Sequence, residues 1–239
     1  MNNIVEIKDL SKHIEGTTIL NNISIQIAKG EIYALLGSNG AGKTTLMKSI
    51  YHIMIPTAGT ISILGEDITE NNNTPFYKMG SIIETPIFYE EFNARKNLEI
   101  HCAYMRTGHG RIEEMLSLLG LINNDKLVKH FSLGMKQRLA IARALITKPE
   151  LLILDEPMNG LDPRGIIEIR ELLLKINHER NTTILISSHI LNEVSKMANT
   201  IGVIEKGELI AEFSMEEINQ KGIDLESYYI RLLERGNQH

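Results

Sequence analysis

The sequence has no tryptophan, one cysteine and six prolines. Cys102 therefore has no intrachain disulfide partner, and no neighbouring ligands in the sequence make it a thiolate metal site. A lone thiol fits a reducing compartment. Basic charge is also scarce: 25 Lys and Arg stand against 30 Asp and Glu, a formal net charge of -5. That balance argues against nucleic acid as a partner, because such binding leans on cations neutralising phosphates. No window approaches the roughly 18 uninterrupted apolar residues of a membrane span. The best runs, such as Leu151 to Leu154, are strand-sized, so any membrane role has to come through a partner. Met1 to Leu10 alternates polar and apolar residues without the basic start and apolar stretch of a leader, so the mature chain is expected to begin here.

What is present is ordinary globular composition, 43% hydrophobic and 23% charged over 239 residues, enough to bury a core without staples. No internal repeat or long linker divides it, which predicts one domain over 1–239. The opening third reads as strands at Ile4–Ile7, Ile19–Ile27, Ile32–Leu36 and Thr60–Leu64, with a first helix over Ala41–Ile53 ended by Pro56 and Gly59. Asn71–Thr74 is a loop by composition. From Asn93 to Leu121 the period turns helical, with Leu98, Cys102 and Met105 on one face and Ile112, Met115, Leu116 and Leu119 on another. Ser132 caps a helix reaching Ile146. Strand Leu151–Leu154, helix Pro163–Asn177, strand Thr183–Ser187, helix Leu191–Ala198 and strand Ile201–Glu205 follow. Such alternation predicts a mainly parallel α/β core with an antiparallel N-terminal portion. Ser214 with Glu217 reads as a capping box, and Leu225, Tyr228, Tyr229, Leu232 and Leu233 as a short last helix packing on its own domain.

Gly37-Ser38-Asn39-Gly40-Ala41-Gly42-Lys43-Thr44 fits G-x-x-x-x-G-K-[ST], followed by Thr45, after an apolar strand and at the start of a helix. Its glycines let successive N–H groups face inward, and the helix N-terminus adds its positive end, giving a phosphate cradle. Lys43 bridges β- and γ-phosphates and the Thr44 hydroxyl serves Mg²⁺. Asp155-Glu156, at the carboxyl end of the buried strand Leu151–Leu154, sits where ligands of open α/β sheets bind. Asp155 is expected on the metal side and Glu156 as the group polarising the attacking water. His189, after the strand Thr183–Ser187 and Ser188, is a candidate γ-phosphate contact. The other histidines, including His52, His101, His109, His130 and His178, show no metal spacing.

Between these motifs lies Phe131-Ser-Leu-Gly-Met-Lys-Gln-Arg138. In that order the motifs resemble the ATP-binding subunits of ABC transporters, across essentially the whole chain. The family signature, LSGGQ followed by a polar stretch and arginine, is matched at Ser132, Gly134, Gln137 and Arg138. The resemblance implies the ABC ATPase fold, a P-loop NTPase core with a helical insertion at about 86–148. It implies ATP and Mg²⁺, and a head-to-tail dimer with a second ATPase subunit, identical or related. In that dimer Ser132 and Gly134 meet the γ-phosphate held by the other subunit, and Asp162 lies in the loop crossing the interface. It further implies a membrane permease, placing a cytoplasmic chain on the inner face of the cell membrane.

Three departures stand out. Leu133 and Met135 replace usual signature residues, and Ile14 falls at the adenine-stacking aromatic, where His13 is the substitute. Glu84 stands where the family carries glutamine, able to reach Mg²⁺ or the lytic water. The Ile83-Glu-Thr-Pro-Ile-Phe-Tyr89 pattern and the Leu225-Glu-Ser-Tyr-Tyr stretch are similar to subunits of bacitracin-resistance and lantibiotic-immunity exporters. The expected activity is thus an ATPase driving export of antimicrobial peptides. The alternative is an ATP-dependent sensing module that signals to a membrane partner without substantial transport. A use in DNA repair or translation is disfavoured by the acidic charge and the single ATPase domain.

Overall fold

The computed structural model describes residues 3–69, 74–121 and 125–236. Strands β1 (Asn3–Ile14) and β2 (Thr17–Ala28) form an antiparallel hairpin. Its two-residue turn is Glu15-Gly16, with φ of 48° and 80°, the left-handed pair that matches strand twist. β3 (Ile32–Leu36) runs into the glycine-rich loop and helix α1 (Lys43–Ile50). β4 (Ala58–Ile63) and the short β5 (Glu66–Asp67) complete a four-stranded antiparallel sheet ordered β2-β1-β4-β5. β6 (Met79–Ile82) then leads to α2 (Ala94–Tyr104), α3 (Ile112–Leu118) and α4 (Leu133–Leu145), after which β7 (Leu151–Leu154) re-enters the core.

The remainder is α5 (Pro163–Arg180), β8 (Thr183–Ser188), α6 (Leu191–Val194), β9 (Thr200–Glu205), β10 (Glu208–Ser214), α7 (Met215–Gln220) and α8 (Leu225–Gly236). The second sheet is ordered β10-β9-β3-β8-β7-β6, parallel from β9 to β6 and antiparallel between β10 and β9. Every residue of β3, β7 and β8 is buried, as expected of central parallel strands covered on both faces. Each such Leu or Ile contributes about 1.5–3 kcal/mol by leaving water. Because β3, β8 and β7 are neighbours, their carboxyl ends bring the glycine-rich loop, Ser187 to His189 and Asp155-Glu156 to one edge.

Several expected boundaries move. β1 runs on from the expected Ile7 to Ile14, so that His13 pairs with Thr18 in the hairpin. α1 stops at Ile50, where His52 takes a left-handed φ of 53°. α5 continues to Arg180 and ends at the left-handed Asn181, while α6 is shorter than the expected Leu191–Ala198. β6 and β10 were not expected; β10 is an edge strand of intermediate burial with no clean alternation. Met105 does not join the buried face of Leu98 and Cys102: it follows the end of α2 and is 39% exposed. Ser214 caps α7 by accepting from Glu216 N–H, but Glu217 pairs with Lys221 instead of closing a capping box. Tyr228 meets Phe213 edge-on at 5.4 Å, and Leu225, Tyr229 and Leu232 pack with it on the core. Asn71 to Asn73 of the expected loop lie outside the described residues, and Thr74 begins a 3-10 turn.

Candidate functional site

The glycine-rich loop is shaped by close approach. A Cβ on Gly37 would stand 2.2 Å from the Ile204 carbonyl oxygen, and Gly42, at φ +109°, has Leu20 Cδ2 at 2.8 Å from the same construction. Gly42 is also the N-cap of α1 and offers no side-chain hydrogen bond. The first N–H groups of α1 therefore face the loop uncapped, the arrangement that attracts an anion. Lys43 is nearly buried, and its ammonium donates to the carbonyls of Gly37 at 2.8 Å and Ser38 at 3.0 Å and lies 3.2 Å from Glu156 Oε1. Ser38 Oγ donates to Glu205 Oε2 at 3.0 Å. A depression of about 170 Å³ is lined by Ile19, Asn39, Gly40, Gly42, Lys43, Thr44, Thr45 and Glu156. Ala41 sits beneath the loop, buried among the hydrophobic side chains.

A chain of hydrogen bonds leads from the cradle into the sheet. Thr44 Oγ1 donates to Asp155 Oδ2 at 2.7 Å, and Ser187 Oγ donates to Asp155 Oδ1 at 2.6 Å while accepting from Glu156 N–H at 2.8 Å. One hydroxyl thus fixes both acids. Glu156 holds a left-handed φ of 47°, a conformation that costs a non-glycine residue about 1–2 kcal/mol and turns its carboxylate out of the strand line. Its Oε2 meets His189 Nδ1 at 2.9 Å, whereas the buried Oε1 accepts no hydrogen bond and has only the Lys43 charge beside it.

Among the described residues no three His, Cys, Asp or Glu side chains gather as a metal cage. Thr44 and Asp155 nonetheless supply two adjoining oxygens, which suits Mg²⁺, a cation that takes few protein ligands and completes its shell with phosphate and water. Glu84 does not join them. Its carboxylate is taken by Lys48 Nζ from the next turn of α1, and its side chain is 63% exposed. His13 is likewise not brought to the depression: its Nδ1 meets Thr18 Oγ1 at 3.1 Å across the hairpin, and Ile19 of β2 lines the site instead. Ile19 and Ser187 are the site residues that sequence reasoning missed. The run Ser187-Ser188-His189 at the end of a buried strand carried a signal for Ser187; Ile19 had none beyond its strand.

A separate depression of about 430 Å³ holds Ser132, Leu133, Gly134, Met135 and Asp162. Ser132 caps α4, accepting from Met135 N–H at 3.3 Å, and Asp162 caps α5, accepting from Gly165 N–H at 2.7 Å. Neither residue lines the cradle around Lys43. A third hollow, also about 430 Å³, runs between α2, α4 and the segment after β6, lined by Ile87, Phe88, Tyr89, His101, Tyr104 and Arg143 among others. Burial first, then the Arg143 charge, lowers His101 from 6.5 to about 4. Ile87 is 84% and Tyr104 74% exposed, an apolar display unusual for a surface without a partner.

Residues 20–159 match the family described as ABC transporter, and residues 124–195 also match an AAA-domain family described as a putative AbiEii toxin of a type IV toxin–antitoxin system. The chain is 46% identical over 224 residues to the bacitracin transport ATP-binding protein BcrA of Enterococcus faecalis, covering 92% of this chain and 72% of that one. It is 45% identical over 210 residues to the lantibiotic transport ATP-binding protein SrtF of Streptococcus pyogenes, covering 87% and 90%. A solved structure of an ATP-binding subunit of an ABC transporter superposes with a TM-score of 0.83 at 30% identity, covering 96% of this chain and 99% of its own.

Proposed function

The chain belongs to the ABC transporter family as one of its ATP-binding, ATP-hydrolysing subunits, and from that premise we propose that it powers export of antimicrobial peptides of the bacitracin or lantibiotic kind through a separate membrane permease. The single observation that carries the chemistry is the continuous contact path Thr44–Asp155–Ser187–Glu156–His189, closed onto the cradle by Lys43. The peptide class rests on what BcrA and SrtF are named for transporting.

In this reading the N–H groups of Gly40 to Thr45 hold the β-phosphate and Lys43 turns from the loop carbonyls to the β- and γ-oxygens. The Thr44 hydroxyl and Asp155 would hold Mg²⁺, which when bound would neutralise part of the phosphate charge. Glu156 takes a proton from the attacking water as the new bond to the γ-phosphorus forms and the bond to the ADP oxygen breaks. His189 orients that carboxylate through Oε2, leaving Oε1, which accepts no hydrogen bond, for the water once Lys43 turns away to the phosphates. Ser187 holds both acids in register.

The cradle hollow is smaller than the roughly 300 Å³ at which ligand pockets usually begin. Together with the separate place of Ser132, Gly134 and Asp162, this supports a site completed by a second ATPase subunit, head to tail. The chain then acts as one domain over 1–239, with the portion at about 86–148 facing the permease through the apolar hollow at Ile87 and Tyr104, on the inner face of the membrane. No helix among the described residues is long and apolar enough to cross a membrane.

The test is genetic and chemical together. A host deleted for this chain is complemented with the intact protein or with Glu156→Gln, and survival is scored in bacitracin and in a lantibiotic. Rescue by the intact chain alone is the expected result. No difference in survival among the three strains would overturn peptide export while leaving the ATPase chemistry standing.

A further inference from the structure

The hairpin turn between β9 and β10 packs against the glycine-rich loop. Its two residues, Lys206 and Gly207, take φ of 48° and 83°, the left-handed pair of a tight turn. Gly207 N–H donates to the Ala41 carbonyl of the loop at 2.9 Å, and Gly207 O accepts from Asn21 N–H of β2 at 2.8 Å. The approach is close: a Cβ on Gly207 would stand 2.3 Å from the Ile19 carbonyl oxygen. Asn21 Nδ2 completes the junction by donating to Glu208 Oε1 at 2.7 Å. The turn thus ties β2, whose Ile19 lines the hollow, to the loop that forms the cradle, and it does so from outside the hollow's lining.

Ser38 is held from two sides at this junction. Its hydroxyl donates to Oε2 of Glu205, the last residue of β9, at 3.0 Å. Its carbonyl accepts from Lys43 Nζ at 3.0 Å and from Ala41 N–H at 3.2 Å. Where that carbonyl sits therefore decides where the Lys43 ammonium rests before a nucleotide arrives. A carboxylate beside an anion site repels the ligand, so Glu205 favours binding only through what it holds.

We propose that Glu205 is a positioning residue for ATP: from the β9–β10 turn it fixes Ser38, and through the Ser38 carbonyl it sets the loop and Lys43 in the form that receives the phosphates. This role rests on the cradle being the ATP site and not on which molecule is exported. The contacts of Asp155 and Glu156 run to Thr44, Ser187, His189 and Lys43 instead. The contribution of Glu205 accordingly falls on holding the nucleotide, in the ground state and the transition state alike, and not on the bond-breaking step.

The test uses the full chain, with equilibrium dialysis of a non-hydrolysable ATP analogue beside initial rates of ATP hydrolysis. Ser38→Ala and Glu205→Ala should each weaken analogue binding and raise KM about three- to tenfold, the effect of one hydrogen bond, with kcat within about twofold. Glu205→Gln, whose amide oxygen still accepts from the Ser38 hydroxyl, should bind at least as tightly as the intact chain. The double variant Ser38→Ala with Glu205→Ala should be no weaker than either single one, as expected of two residues acting through one contact. Unchanged or tighter binding by Glu205→Ala, damage by Glu205→Gln equal to that by Glu205→Ala, or additive losses in the double variant overturns the assignment. A fall in kcat without a rise in KM, or a lowered thermal midpoint with neither constant changed, overturns it too. Should Glu205→Ala fail to fold by circular dichroism, Ser38→Ala and Glu205→Gln decide alone. An intact chain that binds no analogue overturns the ATP reading as well.

Discussion

Two helix N-termini in this chain are proposed phosphate contacts, and they are built differently. α1 begins at Gly42, left-handed and without a side-chain cap, so its first N–H groups are left for a ligand. α4 begins at Ser132, whose hydroxyl already accepts from Met135 N–H at 3.3 Å. Around α1 stand a buried cation, a hydroxyl and two acids joined by hydrogen bonds; beside α4 stand Leu133, Met135 and Asp162, with the acid spent on capping α5. In the proposed reading the uncapped end is a reaction centre within one chain, and the capped end, with no reacting group of its own, acquires a role against a phosphate carried by another subunit.

The sharpest break of that contrast is Glu156→Gln. If α1 holds the chemistry, this chain keeps ATP and loses steady-state turnover by about 10²–10⁴-fold, the usual contribution of a positioned base. Nucleotide binding by equilibrium dialysis and phosphate release check the two halves separately, and unaltered turnover would remove Glu156 from its role. Ser187→Ala comes next. It strips one acid of a hydrogen bond and the other of the acceptor for its N–H, a loss of about 1–3 kcal/mol when a buried group goes unpaired. We expect turnover to drop by five- to about hundredfold with the fold intact by circular dichroism.

The α4 side is tested by mixing. Chains carrying Ser132→Arg and chains carrying Glu156→Gln should each be inactive, yet an equal mixture should recover about a quarter of the intact rate. About half of the pairs are mixed, and each mixed pair has one site with a sound cradle facing a sound Ser132. Absence of recovery would mean that the two termini do not meet across a homodimer.

The uncapped end was legible in the sequence because its parts are local: Gly37 to Thr44 is continuous, and Asp155-Glu156 closes a four-residue apolar strand. The parallel core followed from the same alternation. What was hidden depends on register and on distance. His13, expected as the substitute for a stacking aromatic, instead pairs with Thr18 because β1 continues past its apolar run into the hairpin. The partner of Glu84 was hidden because nothing in the residues near it announces Lys48, 36 positions earlier. Ser187 carried a signal only in its run into His189, and its bonds to both acids show once β8 is set beside β7. β10 escaped for another reason: an edge strand of intermediate burial leaves no clean alternation to read.

The smallest effect belongs to the far end of α4, where Arg143 faces His101 across the apolar hollow. Burial, and then the Arg143 charge, hold His101 at about 4 against its ordinary 6.5. At neutral pH the imidazole is uncharged in the folded chain and mostly uncharged in the unfolded one. As pH falls below about 6.5 the unfolded chain takes up a proton that the folded chain refuses until about 4, so this residue makes stability decline across that window. Full conversion of the shift would overstate the loss because water reaches the hollow; about 1–2 kcal/mol is the expected size. Urea unfolding of the intact chain and of His101→Gln at pH near 7 and near 4.5 should show the variant losing less stability on acidification. Equal losses would mean that His101 is hydrated like a surface histidine, and that the hollow is already wet enough to leave Arg143 without influence on it.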